Sequence, residues 1–164
     1  MDGLTLLDDG KLLEGPDWRI WLPEGMIGRF TTPAPDSPYD TMAVARGWLA
    51  GDAASTTILV TLPREGRTLR GEARRLAGQL IDGDQLGDGV PIEVTGAHGA
   101  RRLDGEVWME EGLYPELARE RINQVVAAAS HRFVWLSVRS RREDDVQAVI
   151  ERMVASLEVR DRPA

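Results

Sequence analysis

Cysteine is absent from this chain of 164 residues, which excludes disulfides, thiolate zinc sites, a cysteine nucleophile and lipid attachment to cysteine. Lysine occurs once, at Lys11, so nearly all of the 20 basic side chains are arginines, a bias that indicates a GC-rich genome. No apolar run approaches the ~20 residues that a membrane-spanning helix needs. The opening stretch, MDGLTLLDDGKLLEG, is acidic where a signal peptide is basic. We therefore predict a cytoplasmic protein without membrane insertion.

The composition is that of a globular protein, with 42% hydrophobic and 29% charged residues. The net charge of −7 argues against a general binder of nucleic acids or anionic membranes. No linker divides the chain into two large units. We predict an N-terminal extension at 1–16, a single domain at 17–160 and a C-terminal tail at 161–164.

Two periodicities describe the secondary structure. Alternation of apolar residues predicts strands at 17–22, 27–32, 42–50, 55–62, 90–95, 102–110, 120–129 and 132–139. Helical spacing begins near Thr68 and returns in the apolar stripe from Val146 to Leu157. Neighbouring strands with short connections pair antiparallel. The prediction is an α+β fold in which an antiparallel sheet of about six to seven strands packs with two main helices.

Two stretches carry a family resemblance: RIWLPEGM at 19–26 and HRFVWLSVRSRREDDVQAVIERMVASLEV at 131–159. The first is similar to an opening strand that ends in Pro-x-Gly, and the second to a strand, a polar turn and an amphipathic helix. The chain thereby resembles the PsbP-like or Ran-release-factor-like fold family, which includes DcrB-like proteins and Eag-type secretion chaperones. The resemblance implies a PsbP-like sandwich and no shared enzymatic activity, because family members mostly bind, deliver or stabilise a partner.

The acidic stretch DGDQLGDGVPIE at 82–93 imitates a calcium-binding loop. Asp82, Asp84 and Asp88 occupy its first, third and seventh places, and Glu93 the twelfth. Leu86 stands at the fifth place, where an oxygen ligand is needed, and a strand pattern follows where the loop requires a helix. We interpret the stretch as a turn that its glycines permit, with calcium as the alternative, and predict no metal or cofactor.

Catalytic constellations are not found in the sequence. His98 and His131 are the only histidines, and each is interpreted as an ordinary surface or turn residue. Ser130 and His131 form no triad, because neighbours in a strand point to opposite faces. We therefore predict that the protein is not an enzyme and has no catalytic residues.

Aromatic residues alternate with charged ones in three strands. Trp108 lies between Glu106 and Glu110, and Trp21 alternates with Arg19. In RFVWLSVR, one face holds aromatic, serine and arginine side chains while the other is apolar. Surfaces that mix aromatics with arginine are typical of partner sites. The predicted partner-binding residues are Trp21, Trp108, Phe133, Trp135 and Arg139. The alternative is that helices cover both faces of the sheet, so that these rings belong to the core.

Two classes of function follow from these patterns. The first is a non-catalytic binding protein, an adaptor or chaperone for a protein partner, with a secreted effector or a second copy of the chain as candidates. The second is a small-molecule binder or enzyme whose pocket combines Arg139, His131 and carboxylates from distant strands.

Overall fold

A computed structural model of the chain describes residues 3–49, 54–79, 83–110, 117–140 and 146–162. Its helices are α1 (Leu69–Gly78) and α2 (Gln147–Ser156), and a short 3₁₀ helix spans Gly83–Leu86. The strands are β1 (Gly3–Leu7), β2 (Gly10–Glu14), β3 (Trp18–Pro23), β4 (Met26–Thr31), β5 (Thr41–Trp48), β6 (Ala54–Pro63), β7 (Val90–Ile92), β8 (Gly99–Glu110), β9 (Leu117–Ala128), β10 (Arg132–Ser140) and β11 (Glu158–Val159). No helix in these ranges is long and apolar enough to cross a membrane.

The strands form two sheets. A seven-stranded sheet has the order β4-β5-β6-β10-β9-β8-β7, and a four-stranded sheet has the order β1-β2-β3-β11. Every pairing between these strands is antiparallel. The predicted α+β class, with an antiparallel sheet and two main helices, is confirmed. The four-stranded sheet is an addition, because the prediction did not include β1 and β2.

The first face of the seven-stranded sheet is covered by α2 and by the four-stranded sheet. Val134, Leu136 and Val138 alternate along β10 toward this side, and none of their surface is exposed. They pack in one core cluster with Ile150 and Met153 of α2. The apolar face that the alternation of β10 predicts is therefore the main core.

The second face carries α1. The helix begins after Thr68, whose Oγ1 accepts a hydrogen bond from the backbone N of Gly71 at 3.1 Å. Leu76 packs in a second core cluster with Phe133 and Trp135 of β10. The periodicity from Thr68 thus predicted the helix, and the sheet has an α layer on each side.

Described residues of both the N-terminal and the C-terminal segment contact the domain between them. Leu13 of β2 is 1% exposed and joins the main core cluster. Near the other end, the guanidinium of Arg162 donates hydrogen bonds to both carboxylate oxygens of Asp17. The division at 1–16, 17–160 and 161–164 stays a prediction.

The acidic stretch at 82–93 forms a turn where it is described. Gly87 and Gly89 have φ angles of +62° and +73°, which residues other than glycine rarely adopt. Asp88 lies 3.1 Å from Arg70 Nε and 3.5 Å from Arg74 Nη2, so arginines balance its charge. Asp82 and the side chain of Asp84 lie outside the described residues. The turn interpretation is confirmed for 83–89, and within the described ranges no three acidic or histidine side chains cluster as a metal site.

Candidate functional site

The predicted aromatic surface is buried at three of its positions. Phe133 is 0%, Trp135 3% and Trp21 6% exposed. Phe133 and Trp135 do share a face of β10, but α1 lies on that face and packs against both rings. Of the two interpretations of these rings, an exposed partner surface or part of the core, their burial favours the core. That these three residues bind a partner stays a prediction.

Trp21 holds α2 against the four-stranded sheet. The guanidinium of Arg152 lies 3.8 Å from the centre of its ring, and the backbone N of Trp21 donates a hydrogen bond to Ser156 Oγ at 2.9 Å. Arg152 Nη2 also donates to Asp9 at 2.6 Å, and this bond lowers the pKa of the Asp9 carboxyl. The contacts of Trp21 are therefore structural.

The structure places the side chain of Arg139 but describes only the backbone of Trp108. Trp108 lies in β8 opposite Arg119 of β9, but its side chain lies outside the described part of the chain. Arg139 is half-buried and lines a groove on the second face of the sheet. Of the five predicted binding residues, Trp135 and Arg139 are thus brought together.

A buried carboxylate fixes α1 over these aromatic rings. Glu72 is 0% exposed and accepts two hydrogen bonds from Arg75, at 2.9 and 3.2 Å. Arg67 Nη1 lies 3.5 Å from the same carboxylate. The guanidinium of Arg75 is 5.4 Å from the centre of the Trp135 ring, and that of Arg67 is 5.9 Å from the centre of Phe133. The pair with Glu72 holds Arg75 within α1, and the cation–π contact of Arg75 with Trp135 joins the helix to β10.

Only half of this face lies under α1. The helix contacts β8 and β9, while the register carries the same face onward from Trp135 to Val60 of β6, to Met42 of β5 and to Thr31 of β4. Because side chains alternate along a strand, every second residue of these strands shares the face. Val60 and Leu62 of β6 are buried in the same cluster as α1. We call the remaining surface of β4, β5 and β6 on this face the open half; its residues are Ile27, Arg29, Val44, Arg46, Trp48 and Ile58.

The open half mixes apolar, aromatic and basic side chains at the surface. Ile27 is 71% and Trp48 53% exposed, while Val44 and Ile58 are half-buried. Arg29 and Arg46 are exposed, and no carboxylate in the described ranges pairs with either guanidinium. A mixed aromatic and charged surface therefore exists on the predicted face, but on other strands than the predicted ones.

A groove of about 320 Å³ separates the open half from α1. Its walls are mainly apolar and aromatic, formed by Tyr39, Met42, Ile58, Val60, Leu76, Ile122 and Trp135. Its polar lining comes from Gln79, Gln124, Ser137 and Arg139. Gln124 is 1% exposed, and its Nε2 donates to Ser137 Oγ at 3.1 Å. No described group hydrogen-bonds to its Oε1. The groove can hold an apolar group that carries a hydrogen-bonding function.

Trp48 and Ile27 were not among the predicted binding residues. The signal for Trp48 was present, because it continues the alternation of Met42, Val44 and Arg46 along one strand. That alternation assigns the residues to one face, and the hairpin with 55–62 fixes their partners. Alternation alone does not show which half of the face a helix covers.

Ser130, Asp161 and His98 meet near the end of the chain. Ser130 Oγ donates to Asp161 Oδ2 at 2.5 Å, and His98 Nε2 lies 3.0 Å from the same oxygen. The hydrogen bonds from Ser130 lower the pKa of the Asp161 carboxyl. The carboxylate stands between the other two groups, so the imidazole is not placed to take the serine proton. This arrangement joins the chain end to the domain and is not a catalytic triad.

Comparison with known proteins gives one likeness in fold. The chain is similar to LpqN of Mycobacterium tuberculosis, a protein involved in cell envelope biogenesis, with a TM-score of 0.51 and 14% identity over 97% of this chain and 90% of LpqN. No family model and no curated protein matches the chain. At this identity the likeness concerns the fold alone, and the resemblance to the PsbP-like family is not confirmed.

Proposed function

We propose that this protein is a non-catalytic binding protein, an adaptor or chaperone, that docks a protein partner on the open half. The observation that carries this proposal is the exposure of Trp48 and Ile27 beside Arg29 and Arg46, on a sheet face that α1 covers only in part. Tryptophan and arginine are enriched among the residues that dominate binding at protein interfaces. An apolar centre with a charged rim is the usual composition of such a surface.

Charge favours a partner segment with acidic flanks. The whole chain has a net charge of −7, yet the open half presents two arginines among its apolar residues, without a partner among the described residues. Carboxylates of the partner would complement Arg29 and Arg46, and their attraction would raise the association rate at low salt. A secreted effector is one candidate for such a partner.

One resemblance favours a binding role, and one likeness in fold is compatible with it. Members of the PsbP-like family mostly bind, deliver or stabilise a partner, and that resemblance rests on residues 19–26 and 131–159. LpqN, which shares the fold, is involved in cell envelope biogenesis, and an adaptor that serves such a process is compatible with the proposal. The absence of enzymatic activity and a cytoplasmic location stay predictions.

A second candidate function rests on the groove. Its volume of about 320 Å³ falls at the lower end of the range of small-molecule pockets, and Gln124 and Ser137 supply polar groups within apolar walls. A small apolar ligand with one hydroxyl or amide group fits this lining. The protein would then bind a small molecule beside α1 and leave Trp48 and Ile27 of the open half free.

The experiment compares two exposed apolar positions. Trp48→Asp changes the open half, while Val90→Asp changes a residue of similar exposure on β7, at 53% and 59%. Products of neighbouring genes are tested for capture by the tagged wild type, and the affinity of any captured partner is measured by calorimetric titration. We expect Trp48→Asp to weaken binding at least 30-fold, as loss of a central anchor of about 2 kcal/mol does, and Val90→Asp to leave it unchanged.

Different outcomes separate the two candidate functions. A partner that binds both variants equally would show that the open half is not the docking site. A small ligand that binds Trp48→Asp normally, but fails to bind Ser137→Met in the groove, would favour the second candidate. Thermal melting of each variant checks that the fold is retained.

A further inference from the structure

Four strands form the edges of the two sheets: β1 and β11 in the four-stranded sheet, and β4 and β7 in the seven-stranded sheet. An edge strand presents unpaired backbone N–H and C=O groups, which can pair with a strand of another chain. Natural proteins protect such edges by shortness, by proline, by charged side chains or by a covering segment. The edges of this protein differ in that protection.

Three edges are protected. β7 has three residues and contains Pro91, which has no N–H to donate. β11 has two residues, and the N of Val159 donates to the carbonyl of Thr95 at 2.8 Å. β4 carries the exposed Arg29. Each of these features hinders pairing with another strand.

Within the part of the chain that the structure describes, β1 has none of these features. Its sequence is GLTLL, without proline or charge, and all five residues are exposed. Leu4, Leu6 and Leu7 are 53%, 77% and 42% exposed. They make up three of the six large hydrophobic residues that are exposed in the described ranges. An apolar edge of this kind is either a liability or an interface.

The free edge of β1 has a defined set of hydrogen-bonding groups. Leu7 lies opposite Gly10 across a two-residue turn, so its backbone groups point toward β2. Because the direction alternates along an antiparallel strand, the N–H and C=O of Leu4 and Leu6 point away from β2. These are the groups that a further strand would engage.

We propose that β1 pairs antiparallel with β1 of a second copy of this chain, about a two-fold axis at Thr5. In this register Leu4 lies opposite Leu6 of the other copy, and the two Thr5 residues face each other. The pairing forms about four backbone hydrogen bonds and joins the two four-stranded sheets into one. Leu4 lies opposite the buried Leu13, so the leucines of both copies meet at the border of the two cores.

Self-pairing is favoured over another strand because the segment Leu-Thr-Leu reads the same in both directions. Antiparallel pairing therefore places apolar side chains opposite each other on both sides of the axis. A two-fold interface also uses each β1 edge once, so it closes as a dimer and does not extend into a fibre. The interface is small, and we expect a dissociation constant on the order of 10 μM or weaker.

The first experiment measures the molecular mass of the protein in solution by sedimentation equilibrium. Protein concentrations from about 5 to 500 μM bracket the expected dissociation constant of the dimer. We expect the wild type to shift from monomer to dimer and Leu6→Lys to stay monomeric, because a charge on an edge strand opposes pairing. Val90→Lys, at a position 59% exposed, is the matched control and should dimerise as the wild type does. Melting at low concentration should be the same for all three proteins.

The second experiment uses the absence of cysteine from the chain. Thr5→Cys places two thiols opposite each other at the axis, within the Cα separation of about 4.4–6.8 Å that a disulfide needs. Mild oxidation should cross-link this variant at least tenfold faster than Thr32→Cys, an exposed position away from β1. A wild type that remains monomeric at the highest concentration would overturn the proposal. So would a Leu6→Lys dimer, or equal cross-linking rates of the two cysteine variants.

Discussion

The two faces of the seven-stranded sheet differ in how much of each is covered. On the first face, Val134, Leu136 and Val138 have no exposed surface, because α2 and the four-stranded sheet lie over them. On the second face, Trp135 is 3% exposed under α1, but Trp48 on the same face is 53% exposed. A sheet seven strands wide spans roughly 29 Å, while a helix with its side chains is about 10–12 Å across. One helix cannot cover such a face.

Coverage, and not side-chain chemistry, therefore separates the core of this protein from its candidate binding surface. Trp135 and Trp48 are the same residue type on the same face, but Trp135 lies under α1 and 6.0 Å from the ring of Tyr39, while Trp48 is 53% exposed. An uncovered half with tryptophan, isoleucine and arginine at the surface is available to another molecule. The comparison can be tested by changing each half and measuring stability and binding separately.

Trp135→Ala and Trp48→Ala should differ most in stability. Removing the buried Trp135 leaves a cavity under α1, and we expect a loss of about 3–5 kcal/mol in the free energy of unfolding. Removing the half-exposed Trp48 should cost less than about 1 kcal/mol, because little packing is lost. Urea denaturation of both variants provides the measurement. Equal losses would mean that Trp48 is packed as Trp135 is, and the division of the face into two halves would be wrong.

Glu72→Gln tests the attachment of α1 to the sheet. The variant keeps the volume of the side chain but removes the charge that pairs with Arg75 and Arg67. Both arginines remain about a third exposed and can be hydrated, so we expect a loss of about 1–3 kcal/mol and not the larger cost of stranding buried cations. Glu93→Gln, at an exposed position, is the matched control and should be neutral in urea denaturation. A neutral Glu72→Gln would show that apolar packing alone holds the helix.

Much of the fold could be predicted because its determinants are local. Val134, Leu136 and Val138 alternate as a buried strand does, and the stripe from Val146 to Leu157 has helical spacing. Strands β1 and β2 were missed because leucines occupy both faces of LTLL and KLLE, so their alternation is weak. A strand whose residues remain exposed gives no pattern of burial to find.

The candidate site could be predicted only in part. Alternation in RFVWLSVR placed Trp135 and Arg139 on one face, and the structure confirms that they share it. Which strands α1 covers depends on contacts between residues far apart in sequence, such as Arg75 with Trp135. Because those contacts form only in the folded chain, the exposure of Trp48 and the burial of Trp135 could not be derived from spacing.

Two carboxylates that bind Arg102 on the first face should have the smallest effects on stability. As the pH rises, one should stabilise the fold and the other should destabilise it. Arg102 of β8 donates to Glu151 of α2 at 2.6 and 2.8 Å, and these bonds lower the pKa of Glu151 below its ordinary value of 4.5. It also donates to Asp104 at 3.0 Å, but burial raises the pKa of Asp104 above its ordinary value of 3.8. Glu151 therefore adds stability that is present above about pH 4.5 and is lost as the pH falls through its lowered pKa. Asp104 does the reverse, because its ionisation costs more in the folded state as the pH rises above 3.8.

Urea denaturation between about pH 3 and pH 7 can separate the two carboxylates. Relative to the wild type, Glu151→Gln should gain less stability as the pH rises, and Asp104→Asn should gain more. Both side chains are about half exposed, at 51% and 46%, so solvent screening keeps each difference within about 1 kcal/mol. A change of the same sign in both variants would show that Asp104, Arg102 and Glu151 act as one charge cluster between β8 and α2 and not as two separate ion pairs.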